Sequence, residues 1–167
     1  MDTHASDLTT RYAQTLAAVI AAVEDLDAAS LRLPCAAERC SVAALANHIA
    51  AVQSNTAGFV QAIVAGEALP SLTMEDIDHI NAENATGNAE RGTDEVIARL
   101  RAGGEAMTTE LRGLGDDDLA RTAPFTLFGG EVRVQTLVEQ AVIAHTEQHL
   151  ASLQAAVGTE ASTADNG

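Results

Sequence analysis

This sequence predicts an all-α protein, a four-helix bundle, and three observations carry that prediction. Four segments repeat apolar residues at the helical period. Hydrophobic residues make up 47% of the chain while aromatics make up only 2%. The core must therefore be built from Ala, Val, Leu and Ile, which suits close-packed helices, because Ala favours helices and aromatics favour strands. The third observation is a long polar connection between the second and third segments. It permits a crossover between two helices that neighbouring antiparallel helices would not need. With 167 residues, the chain fits one domain, expected over 1–158, with a disordered tail over 159–167.

The first helix is expected from about Leu8 to Ala29, after a frayed start, on the stripe Leu8, Tyr12, Leu16, Val19, Ile20, Val23 and Leu26. Pro34 to Cys40 reads as a loop. Ser41 is a plausible N-cap for the second helix, which ends at Ala65 before Gly66. Its stripe is Leu45, His48, Val52, Asn55, Phe59, Ala62 and Ile63. The crossover spans Glu67 to Gly92 and holds one or two helical turns near Met74 to Asn81. The third helix starts at Thr93, where Asp94 and Glu95 suit the positive end of the helix dipole. It runs through Val96, Leu100, Gly103, Met107, Leu111 and Leu114. The adjacent Gly103 and Gly104 mark either close packing or a bend, each costing roughly 1 kcal/mol relative to Ala. An acidic turn at Asp116 to Asp118 and a short hairpin or extended loop around Gly129 and Gly130 lead into the fourth helix.

That fourth helix, Val134 to Val157, carries His145 and His149 on the stripe of Val134, Val138, Ala141, Val142, Ser152 and Ala156. Residues four apart lie one turn apart on one face, so both imidazoles can reach a common point in the interior. Buried imidazoles must be paired or bound to something. The pair alone fits either one metal ion or two hydrogen-bonded core histidines. His48 sits on the apolar stripe of the second helix, and three unpaired imidazoles in one core favour a metal. His4 lies in the frayed start and His79 in the crossover.

Three histidines suit zinc in an open site that leaves one position for water or substrate. Nickel fits the same ligands. The pattern is not that of a zincin, because Thr146 follows His145 and Glu147 falls near the opposite helix face. Proton competition is expected to weaken binding below about pH 6.5. Asn55, two turns beyond His48, is a candidate catalytic residue that would orient substrate, or else a buried Asn bonded to backbone. Asn81 is a candidate for the mouth of the site, or else a capping residue.

The formal net charge is -15, from 24 acidic and 9 basic residues. Such a surface repels phosphate backbones, which argues against nucleic acid as a partner. No apolar run approaches a membrane span, and no apolar leader follows Met1, so a cytoplasmic location is expected. Cys35 and Cys40 read as two unpaired thiols, with a soft-metal site or a small disulfide as alternatives.

Ser41 to Val52 (S-V-A-A-L-A-N-H-I-A-A-V) and Ala144 to Leu153 (A-H-T-E-Q-H-L-A-S-L) resemble the DinB/YfiT-like superfamily of metal-binding four-helix bundles. The segments I-D-H-I-N-A-E-N-A and R-G-T-D-E-V-I-A-R-L resemble its maleylpyruvate isomerase-like branch. Two positions depart from the family pattern. Cys40 stands where an aromatic is usual, and His145 stands where the mycothiol-dependent isomerases resemble a Glu. The resemblance implies His48, His145 and His149 as ligands of a divalent metal. It implies a small-molecule substrate, a homodimer and, in some members, a low-molecular-weight thiol such as mycothiol. Two other readings stand beside the enzyme: a non-catalytic bundle that binds metal or ligand, and an interaction protein with histidines in its core.

Overall fold

The structure, a computed structural model, describes residues 3–164 of the chain. Helix α1 spans Thr3–Glu24. It begins earlier than the sequence suggests, because Ala5 is buried and its N–H donates to Asp116 Oδ1 at 3.0 Å. It also ends earlier. Asp27 accepts a hydrogen bond from the Ser30 N–H and caps a separate turn, α2 (Ala28–Leu31). Strands β1 (Pro34–Cys35) and β2 (Cys40–Ser41) then pair antiparallel, with Cys35 opposite Cys40. Both thiols are free.

Helix α3 (Val42–Ala65) has the expected limits. Ser41 Oγ accepts from the Ala44 N–H, and Gly66 takes the left-handed conformation that terminates the helix, at φ 75°. The crossover holds a larger element than expected, α4 (Met74–Gly87), fourteen residues opened by a Thr73–Asp76 capping box. No residue of α4 is buried, so no apolar stripe announced it. Side-chain hydrogen bonds hold it in place: Asn47 Nδ2 donates to Asn84 Oδ1 at 2.7 Å, and Asn84 Nδ2 donates to the Ala44 carbonyl at 2.9 Å.

Helix α5 (Thr93–Gly113) buries every member of the predicted stripe. The short α6 (Asp116–Leu119) leads to β3 (Thr122–Phe125), which pairs antiparallel with β4 (Gly130–Arg133) across a 3-10 turn and Gly129 at φ 70°. The last helix is one rod in three parts: α7 (Val134–Leu137), a π-helical segment Val138–Ala144, and α8 (His145–Ala164). Residues 165–167 of the expected tail lie outside the described residues.

The packing fixes the topology. One apolar cluster joins Leu8 and Tyr12 of α1 to Val60 and Ile63 of α3, Met107 and Leu111 of α5, and Leu137 and Val138 of the last rod. The other joins Val19 and Val23 to Leu45 and Ile49, Val96 and Leu100, and Leu153. Helices α3 and α5 are therefore parallel, and α1 and the last rod run the opposite way. The crossover through α4 makes the parallel pair possible, as the length of the connection predicts. Close approach, not bending, explains the glycine pair. A Cβ at Gly103 would lie 2.4 Å from the Ala50 carbonyl oxygen, and one at Gly104 would lie 2.4 Å from Leu16 Cδ2.

Candidate metal centre

His48 of α3 meets His145 and His149 of α8 inside the bundle. The Nε2 atoms of His48 and His145 lie 3.2 Å apart, and those of His145 and His149 lie 2.9 Å apart. The His48 ring centroid is 5.1 Å from each of the other two. Ligand atoms of all three fall within 4.8 Å of one another. Tetrahedral coordination with bonds of about 2.0 to 2.1 Å sets ligand nitrogens roughly 3.3 Å apart. The two close contacts lie within a few tenths of an ångström of that spacing.

The hydrogen-bond chemistry points the same way. Each Nε2 offers either one proton or one lone pair, so His145 Nε2 cannot satisfy both close neighbours at once. Three lone pairs aimed at one point fit a cation instead. His149 Nδ1 lies 3.0 Å from Glu38 Oε1, which also accepts from Ser152 Oγ at 2.9 Å. A proton on Nδ1 facing the carboxylate leaves Nε2 as a lone pair toward the cluster. His145 Nδ1 is buried with no hydrogen-bond partner among the described residues.

Burial, reinforced by the neighbouring imidazoles, lowers the pKa of His48 and of His145 to about 4. In the metal-free chain these two rings therefore stay neutral well below pH 6.5. Burial pushes the Glu38 carboxyl up, but the Ser152 hydrogen bond and the His149 and His48 rings outweigh it and hold its pKa below the usual value. Glu38 went unnoticed in the sequence because it sits in the loop between the cysteines, where no periodicity marks a facing side. Burial raises both thiols; Cys35 reaches about 11, with Cys40 and then Glu38 adding to its shift, and Glu38 adds to that of Cys40. At neutral pH both thiols are therefore protonated.

The triad opens into a cavity of about 430 Å³. Leu45, His48, Val52, Asn55 and Phe59 line it, so the predicted stripe of α3 is mainly a cavity wall. A neighbouring face of α3, with Ala46, Ile49 and Gln53, is buried as well. Asn55 and Asn81 both line the cavity and both are exposed. Neither hydrogen-bonds an imidazole among the described residues, and Asn55 is not the buried residue that one reading proposed. His79 stands apart, exposed, 3.2 Å from Glu83 Oε1. Glu147 is exposed and accepts from Thr15 Oγ1 at 3.4 Å, away from the triad. No helix among the described residues is long and apolar enough to cross a membrane.

A bundle with a parallel pair of helices, α3 and α5, and a histidine triad between α3 and α8 defines a class of helical proteins built around a candidate metal site. The family model of the DinB superfamily matches residues 11–153, and the chain belongs to that family. Among solved structures, it is similar to YfiT from Bacillus subtilis, described as a probable metal-dependent hydrolase with an unusual four-helix bundle topology. The two share 16% identity and superpose with a TM-score of 0.74 over 92% of this chain and 87% of that one. At that identity the likeness establishes the fold. No curated protein matches the sequence.

Proposed function

We propose that this protein is a metal-dependent hydrolase of a small molecule, with zinc or nickel held by His48, His145 and His149. The convergence of three imidazole nitrogens on the wall of a cavity carries this reading. A divalent cation bound there supplies Lewis acidity and lowers the pKa of water or a thiol at neutral pH. The chain supplies the rest. Glu38 fixes the tautomer and orientation of His149, the role a carboxylate takes behind a ligating histidine. Asn55 and Asn81 offer carboxamides to the polar atoms of a substrate, and α4 with the β3–β4 hairpin contributes apolar side chains to the cavity wall. In the reaction, the oxygen of water adds to a carbonyl carbon. The bond to the leaving group then breaks, and the leaving group takes up the proton released by water.

A thiol of the mycothiol kind is the alternative nucleophile. The largely apolar lining gives a polar cofactor few partners and favours water. We also propose a cytoplasmic location, carried over from the lack of long apolar runs in the sequence, and a homodimer, which rests on the family resemblance alone.

Hydrolysis of 2-naphthyl acetate by the full chain tests the reading. Activity should vanish on chelation, return with zinc or nickel, and be absent from His48→Ala. Glu38→Gln should need about 10–100-fold more metal for the same activity. Equal hydrolysis before and after complete metal removal would overturn the proposal.

A further inference from the structure

The chain has only three phenylalanines, and all three line this one cavity. Phe59 comes from α3, Phe125 from β3, and Phe128 from the turn between the strands. Phe59 meets Phe125 edge-on at 5.2 Å between centroids, and Phe125 stacks on Phe128 at 6.0 Å. Tyr12, the chain's other aromatic, is buried in the core and Phe125 is only 2% exposed, so the half-buried Phe59 and Phe128, backed by Phe125, give the cavity wall its accessible aromatic surface.

The charge of the wall is as selective as its shape. All nine basic residues of the chain are arginines, and none of them lines the cavity. Beyond the histidines, the charged group in the lining is the Glu38 carboxylate. An anion away from the triad would lose its hydration and meet no counter-charge. Neutral polar groups have partners in Asn55 and Asn81, and the half-exposed Ile80 extends the apolar surface toward the opening.

We propose that the substrate is an uncharged, largely aromatic carbonyl compound, with its carbonyl at the histidine triad and its ring system against the phenylalanine wall. The carbonyl end rests on the metal reading above; the aromatic wall and the exclusion of anions do not.

Calorimetric titration of the full chain, metal-free and zinc-loaded, with 2-acetylnaphthalene and its 6-sulfonate tests this. The two probes share the same head group and differ in charge at the far end. The ketone should bind at least about tenfold more tightly in both protein forms. Phe128→Ala should weaken the ketone by about tenfold and leave zinc stoichiometry unchanged. Asn81→Arg, on an exposed helix surface, should bring sulfonate binding up toward that of the ketone. Equal or tighter binding of the sulfonate by the parent chain, or a Phe128→Ala variant that binds zinc and ketone like the parent, would overturn the inference. Ketone binding that depends on Phe128 in a chain that takes up no zinc would uphold the wall and refute the metal reading. Zinc uptake without ketone binding would do the reverse.

Discussion

An imidazole inside a helical bundle is costly unless its nitrogens find partners, and that cost made the triad legible. Three histidines fell on apolar stripes of two helices, and the structure brings them within reach of one point. Glu38 was not legible. It touches His149 from a loop 111 residues away in sequence, and no local pattern encodes such a contact. Asn55 and Asn81 were legible as positions on the cavity wall, while their roles toward substrate stay with the proposal. The depressed histidines have a consequence for the metal-free chain. Below pH 6.5 the unfolded chain gains protons at His48 and His145, whereas the folded chain does not until about pH 4. The unfolded state thus binds more protons in that window, and folding stability contributed by these groups falls as pH drops from 6.5 to 4. NMR titration of the metal-free protein should show two imidazoles still neutral at pH 5. Rings of His48 and His145 that both titrate near 6.5 would contradict their burial.

At the scale of elements, the caps at Ser41 and Gly66 made the limits of α3 legible, while those at Asp27 and Thr73 went unread. Helix limits were also missed where long-range contacts decide, as at Ala5 and Asp116. Helix α4 escaped detection as a full helix because asparagine hydrogen bonds hold it, not an apolar face. The π-helical segment was equally hidden, since Val138–Ala144 reads as ordinary helix. Burial reveals it: Leu137 and Val138 are followed by Val142 and Ile143, a step of five. A π turn in front of a site re-aims the face that follows, and here His145 follows directly. The glycine pair in α5 gives a sharper test. Gly103→Ala drives a methyl into the backbone of α3, which cannot yield as a side chain does. We expect a loss of roughly 1–3 kcal/mol in urea unfolding. Gly104→Ala meets the end of a flexible Leu16 side chain and gains helix propensity, so its change should stay within roughly 1 kcal/mol. A Gly103→Ala variant as stable as the parent would refute the close approach.

At the scale of the whole molecule, the all-α class and the crossover were legible because composition, period and connection length agreed. The gathering of the three phenylalanines was not, since Phe59 and Phe125 stand 66 positions apart in sequence and only the fold joins them. The acidic balance and the arginine-free lining belong together: charge repels anions outside, and away from the triad no basic side chain meets them within. What the molecule is built to hold comes down to the triad between α3 and α8. Titration of zinc into metal-free full-length chain, prepared without a histidine tag, measures this most directly. The account predicts saturation at about one zinc per chain, lost in His48→Ala while the fold is retained. No saturable uptake by the parent, or uptake undiminished in that variant, would contradict it.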